Sequence, residues 1–191
     1  MTSVSIIGTG NMANAIGGAI ADGGTSVEYI AHEATGGAIA GDIVILAVPY
    51  GSLTEIVASA GAQLDGKIVV DITNPVDFAT FDGLTVAADS SAAAELAAAL
   101  PNSRVLKAFN TTLSATLVAK TVGGLVTTVL IAGDDTAAKV ELAAVVTAGG
   151  LKAIDAGSLK RARELEAIGF LQIALAASEK ISWTGGFGIA A

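Results

Sequence analysis

"SIIGTGNMANAIGG", residues 5–18, joins an apolar run, two glycines one residue apart and a stretch with helical spacing. Val4 to Ile7 fits a buried strand. Met12, Ile16, Ala19 and Ile20 then recur at helical spacing, and Asp22-Gly23-Gly24 stops the run. The glycines therefore sit at a corner where a strand turns into a helix. Gly8-Thr9-Gly10-Asn11-Met12-Ala13 has the spacing G-x-G-x-x-A. The first glycine permits a tight turn, the second bares the backbone to a diphosphate, and the small third residue lets helix and strand pack closely. The helix start adds N–H groups and partial positive charge. Any Gly-rich turn can match such a pattern. Here it follows a strand, opens a helix and lies in the first βα unit, the context that a dinucleotide site requires.

Outward from this corner, apolar strand-like runs alternate with helical stretches. Val27 to Ala31 reads as a second strand and "DIVILAV", residues 42–48, as a central parallel one. Ser52 and Glu55 are spaced as a capping box for the helix that follows. "KIVVDI" (67–72), Val105 to Phe109, "TTVLIA" (127–132) and residues 151–155 complete seven strands. "DSSAAAELAAAL" (89–100) and the stretch from Asp134-Asp135 to Gly149-Gly150 read as helices. A long helical pattern then runs from Ser158 to about Ser182 and would extend over roughly 35 Å. Only about ten residues, "HEATGGAIAG", separate the second strand from the third, so that crossover is expected to be a loop or one short turn. The alternation predicts an α/β fold, a doubly wound and mostly parallel sheet with a long C-terminal helix. Residues 1–191 are read as one domain, with 156–191 as a helical extension.

Composition narrows the partners. The chain is 52% hydrophobic and carries 10 basic against 18 acidic residues, a formal net charge of −8. An acidic chain without basic runs is a poor nucleic-acid binder. No apolar stretch approaches the roughly 18 residues of a membrane span, so the excess apolarity points to buried strands, Ala-rich helices and a homodimer interface. Having no Cys and one His excludes disulfides, thiolate chemistry and multi-histidine metal centres. With a strand starting near residue 4 there is no room for a signal peptide, and a cytoplasmic protein is the expectation.

In a doubly wound sheet the ligand lies beyond the carboxyl ends of the strands. After the second strand come Ala31-His32-Glu33. His32 can donate to an NADP 2′-phosphate, with Thr9 adding a hydroxyl, whereas Glu33 can serve the 2′-OH of NAD. NADPH is expected to bind more tightly than NADH. The other ends read Val48-Pro49-Tyr50, Thr73-Asn74-Pro75 and Asn110-Thr111-Thr112. They suit a flat ring and offer hydrogen bonds, but no strong acid or base. Asp71 reads as a strand-end residue bonding nearby backbone. Tyr50 is the one proton donor on these ends. Hydride transfer between two ring cofactors needs positioning above all, whereas reduction of a ketone needs a proton donor.

"GTGNMANAIG", "AVPY", "VVDITNP", "VLKAFNTT", "DAGSLKRARELE" and the terminal "GGFGI", in this order over nearly the whole chain, resemble the NADPH-dependent deazaflavin (coenzyme F-420) reductases and related dinucleotide-binding oxidoreductases. The resemblance implies a Rossmann-type domain whose C-terminal helical part supports dimerisation. It implies NADP at Gly8 to Ala13, with the nicotinamide near Ala47, Val48, Pro49, Asn74 and Pro75. A second ring, deazaflavin or flavin, would lie near Tyr50, Asn110, Thr111 and Thr112. Arg163 and Glu166 match the family pattern and, three apart on a helix, are expected to pair. The deazaflavin reductases carry Ser-Arg where this chain has Ala31-His32, and His where it has Asn110. Three readings follow: an oxidoreductase moving hydride between NADP(H) and a ring acceptor, a reductase of a small carbonyl or imine using Tyr50 or water, and a non-catalytic NADP(H)-sensing module.

Overall fold

The computed structural model describes residues 2–190. Nine strands and six α-helices follow one another as β1 (Ser3–Ile7), α1 (Asn11–Asp22), β2 (Ser26–Ile30), β3 (Ile43–Leu46), α2 (Leu53–Ala60), β4 (Ile68–Asp71), α3 (Ala92–Ala99), β5 (Arg104–Lys107), α4 (Ser114–Ala119), β6 (Thr121–Val122), β7 (Leu125–Val126), β8 (Thr128–Gly133), α5 (Thr136–Ala148), β9 (Lys152–Gly157) and α6 (Ala162–Ala177). Seven strands form one sheet in the order β2-β1-β3-β4-β5-β8-β9. All neighbours are parallel except β5 and β8. The chain runs from β1 to β2 on one side and then to β3 on the other, so the order reverses between β1 and β3. That reversal opens a crevice at their carboxyl ends, where the glycine corner sits.

Both faces of the sheet are covered, and for this reason the central strands are apolar throughout. On one face Val4, Ile6, Ile43, Ile45, Ile68 and Val70 pack with Ile16 and Ile20 of α1 and Leu142 of α5. On the other, Ile7, Val44, Leu46 and Val69 pack with Ile56 of α2 and Leu96 of α3. Each such side chain contributes about 1.5–3 kcal/mol of transfer free energy. Among the described residues no helix is long and apolar enough to cross a membrane.

Several local expectations are corrected. Ser52 does not cap α2: it lies in a 3-10 turn, Tyr50–Ser52, with α-helical backbone and no side-chain cap. The capping function falls instead to Ser91, which accepts from the Ala94 amide of α3, and to Asp135, which accepts from the Ala138 amide of α5. The last helix ends at Ala177, not near Ser182, and begins after a separate 3-10 turn, Leu159–Arg161. At 16 residues it extends only about 24 Å. The apolar residues beyond it belong to an irregular segment that folds back. The strand expected to reach Phe109 stops at Lys107, because Phe109 takes a left-handed φ of 62°. A hairpin, β6 with β7, adds to the elements that the sequence predicts. Gly123 and Gly124, with φ of 56° and 83°, supply its turn. The β2–β3 crossover is, as expected, one 3-10 turn at His32–Ala34 followed by irregular chain.

Candidate functional site

Gly8 leaves β1 with φ +123°, and its amide donates to Ile30 of β2 at 2.8 Å. A Cβ built there would lie 2.2 Å from the Ala47 carbonyl oxygen, so a glycine is needed for β3 to approach. Gly10 differs. Its φ of −77° suits any residue, and a Cβ there would meet nothing within 4 Å. Nothing in the fold requires a glycine at that place, yet the backbone is left bare and exposed. Gly10 is also the N-cap of α1, and no side chain caps that end. The first amides of a twelve-residue helix therefore have no intrahelical partner and face outward with the positive end of the helix dipole. This combination fits a diphosphate. Thr9 and Asn11 flank the opening as exposed residues, Met12 is half-buried, and Ala13 is buried on the sheet-facing side of α1.

A second part of the site lies over β4 and β5. Asn74 and Asn110 bond reciprocally: Asn74 Nδ2 donates to the Asn110 carbonyl and Asn110 Nδ2 to Asn74 Oδ1, both at 2.9 Å. Asn110 Nδ2 also donates to the Leu165 carbonyl of α6 at 2.9 Å. This orientation alone serves both acceptors, and it leaves Asn110 Oδ1 buried without a partner. Gly169 of α6 presses on the pair, since a Cβ there would lie 2.3 Å from Asn74 Oδ1. Thr112 fixes the strained Phe109, its amide and hydroxyl both donating to the Phe109 carbonyl at 3.1 and 2.7 Å. A left-handed Phe is uncommon and costs about 1–3 kcal/mol, a cost usually met where a turn must aim side chains at a ligand.

Beneath these loops is a fully buried ionic group. Lys107 Nζ donates to Asp71 Oδ2 at 2.9 Å, to Glu166 Oε1 at 2.8 Å and to the Thr73 carbonyl. Asp71 also accepts from the Thr73 amide at 2.7 Å, the strand-end bond expected of it. Glu166 takes the amides of Ala92 and Ala93 at 3.0 and 3.4 Å, so it caps α3 from a different helix. Burial raises the Glu166 pKa, and Lys107 partly offsets this. The expected Arg163–Glu166 pair is thus absent. Arg161 and Glu164 make the i,i+3 pair instead, at 3.4 Å, while Glu166 faces inward.

A cleft of about 440 Å³ joins the two halves, lined by Asn11 and Met12 on one side and Asn74, Asn110 and Thr112 on the other. That volume lies within the range of small-molecule sites. Thr111 faces another cavity, beside Thr128 and Ile168. Ala47 and Val48 are half-buried and Pro49 exposed at the end of β3, while Pro75 is buried. His32 lies 3.6 Å from Glu55 of α2, across the crossover. None of the residues lining the cleft carries a titratable side chain.

Residues 26–75 match the family model described as NADP oxidoreductase, coenzyme F420-dependent. An F420-dependent NADP reductase of Methanocaldococcus jannaschii is 33% identical over 168 residues, which cover 85% of this chain and 74% of that one. The chain belongs to the F420-dependent NADP reductase family. It is accordingly an NADP-dependent oxidoreductase. The crystal structure of a candidate F420-dependent NADP-reductase from Arthrobacter sp. FB24 has the same fold, with a TM-score of 0.83 at 24% identity over 100% of both chains. Hypothetical protein SMa0349 from Sinorhizobium meliloti matches with a TM-score of 0.69 at 27% identity, over 83% of this chain and 86% of its own.

In this member of the F420-dependent NADP reductase family, Tyr50 stands apart from the cleft. Its hydroxyl donates to Glu95 Oε2 in a groove between α2 and α3. That bond, with burial and the Glu95 charge, pushes the phenol pKa up to about 12. The folded value exceeds the unfolded value of about 10, so neutral Tyr50 stabilises the fold below that pH, and the gain is lost as pH rises towards 12. Phenolate titration by ultraviolet absorbance should show Glu95→Gln returning Tyr50 towards about 10. An unchanged high value would contradict the assignment. Reading the chain from strand ends missed Phe78 and Trp183, which line the cleft from outside the strand-end motifs. A single Trp in the polar, Gly-rich "ISWTGGFG" was the available signal, because such a segment has no periodic core to bury it in.

Proposed function

We propose that the chain passes hydride between NADP(H) at the N-terminus of α1 and a ring-type acceptor, a deazaflavin of the F420 kind or a flavin, in the adjoining cleft. The observation that carries this is the absence of a titratable side chain among the residues lining the cleft. A ring acceptor needs stacking and alignment, and little proton chemistry from the protein. A carbonyl or imine needs a donor near the reacting atom, and the Tyr50 hydroxyl is held on Glu95 in another groove.

NADPH, when bound, supplies the hydride. The amides that open α1 would hold the diphosphate, and bare Gly10 would admit it. We assign His32, in the turn after β2, to the 2′-phosphate end, with the Thr9 hydroxyl adding to it; its Nε2 lies 3.6 Å from Glu55. Asn74 and Asn110 hold the loops after β4 and β5 at one spacing, and the unpartnered Asn110 Oδ1 is left to accept from a ligand N–H. The buried Lys107 group keeps α6 and both loops in place beneath them.

NADPH oxidation followed optically with deazaflavin, FMN and a cyclic imine as separate acceptors tests the assignment. Turnover with at least one ring acceptor, at a rate exceeding that with the imine by ten-fold or more, is the expected result. Faster turnover of the imine would overturn it.

A further inference from the structure

The half of the cleft away from the glycine corner has two large aromatic side chains that packing does not explain. Phe78 follows β4 and is 61% exposed; Trp183 follows α6 and is 53% exposed, and both line the cleft. Single exposed apolar residues are ordinary, but two aromatics converging on one cavity from separate segments mark a binding surface. Neither rests on a loose strand of chain. Phe78 packs edge-on against Phe81, with ring centroids 5.6 Å apart at 87°. Their turn is closed by Asp77, which accepts from the Ala79 amide and the Thr80 hydroxyl at 2.9 and 2.8 Å. Phe81 itself holds a left-handed φ of 53° there.

The Trp183 segment is tied to the floor of the site. Fully buried Gln172 of α6 accepts the Phe187 amide at 2.9 Å and reaches the Thr111 carbonyl at 3.4 Å. Gly186 makes that approach with φ +145°, its would-be Cβ only 2.9 Å from Gln172 Oε1. Ser182 and Thr184, on either side of Trp183, bond each other at 2.7 Å. Leu113, Ile173, Ile72 and Met12 add apolar wall to the same cleft, and Ser114 joins its polar part.

We infer that Phe78 and Trp183 are the specificity-determining walls of the acceptor site, and that they select a fused, planar heteroaromatic ring over a small carbonyl or imine. This rests on the ring-acceptor reading above and adds the residues that enforce it. Flat rings gain from aromatic side chains by offset or edge-on contact, and that gain grows with the area of the ring. A small imine offers less flat area for such contact.

Trp183 is the only tryptophan of the chain, so its emission reports the site directly. FMN and, separately, deazaflavin are titrated into the protein saturated with NADP+, which allows no turnover, following Trp183 emission and ligand anisotropy. Quenching on saturation is expected, and Phe78→Ala and Trp183→Ala should each weaken the ring ligand roughly ten-fold. Trp183→Phe should restore most of the affinity, and NADP+ affinity should stay within about two-fold throughout. Should Trp183→Ala unfold, Phe78→Ala carries the test alone. Unchanged ring affinity in the alanine variants overturns the inference while leaving the ring-acceptor reading intact. A parent protein that binds NADP+ but neither ring ligand overturns both the inference and the ring-acceptor reading. A parent that fails to bind NADP+ overturns the nucleotide assignment itself.

Discussion

Lys107→Met is expected to destabilise the fold by roughly 3–5 kcal/mol at neutral pH, the range for removing one partner from a buried ionic group. The Lys107 and Asp71 side chains are 0% exposed and that of Glu166 is 1% exposed, so the two carboxylates would be left buried together without a cation. The dependence on pH distinguishes this cause from a simple packing defect. Burial already raises the Glu166 pKa with Lys107 present, and losing the ammonium raises it further. A carboxyl whose folded pKa lies above its unfolded value stabilises the fold fully below the unfolded value, and that contribution is lost as pH rises through the folded one. The deficit of the variant should therefore shrink between about pH 7 and about pH 4.5. Urea unfolding at the two pH values measures it, and an equal deficit at both would contradict the electrostatic account. Replacing all three, as Asp71→Asn, Lys107→Met and Glu166→Gln, should recover part of the loss because no unpaired charge remains buried.

The second large effect separates two glycines that a sequence motif treats alike. Gly10→Ala should change stability by no more than about 1 kcal/mol, since its backbone suits alanine and an N-cap is the only structural role at stake. Its methyl would nevertheless stand where the diphosphate approaches, and NADP(H) binding should fall roughly 10- to 100-fold, the equivalent of about 1–3 kcal/mol of overpacking. Gly8→Ala should instead damage the fold. The left-handed backbone costs about 1–3 kcal/mol by itself, and the contact with Ala47 adds to it because β3 cannot withdraw from the sheet.

What could be read from the residues alone divides along the range of the interactions. The corner at Gly8 to Ala13, the buried central strands and the Asp135 cap are set within a few residues, and their patterns are local. The ionic group is not. Lys107 meets Asp71 and Glu166 across 36 and 59 positions, and local helical spacing pointed to Arg163 as the partner of Glu166. That partner lost because Glu166 lies on the inward face of α6, where only Lys107 and the start of α3 can satisfy it. The direction of β8 was also hidden, since a buried strand reads the same whether its neighbour is parallel or not. Thr111 and Thr112 adjoin in the chain yet face two cavities, because Thr112 is turned back onto the strained Phe109.

The central claim is that the uncapped start of α1, bared by Gly10, holds the diphosphate of NADP(H). Calorimetric titration of NADPH into the parent protein and into Gly10→Ala, side by side and with matched unfolding curves, tests it most directly. A saturable site in the parent and a strongly weakened one in an equally stable variant is the result expected. Equal binding by both proteins, or none by the parent at millimolar nucleotide, would contradict it.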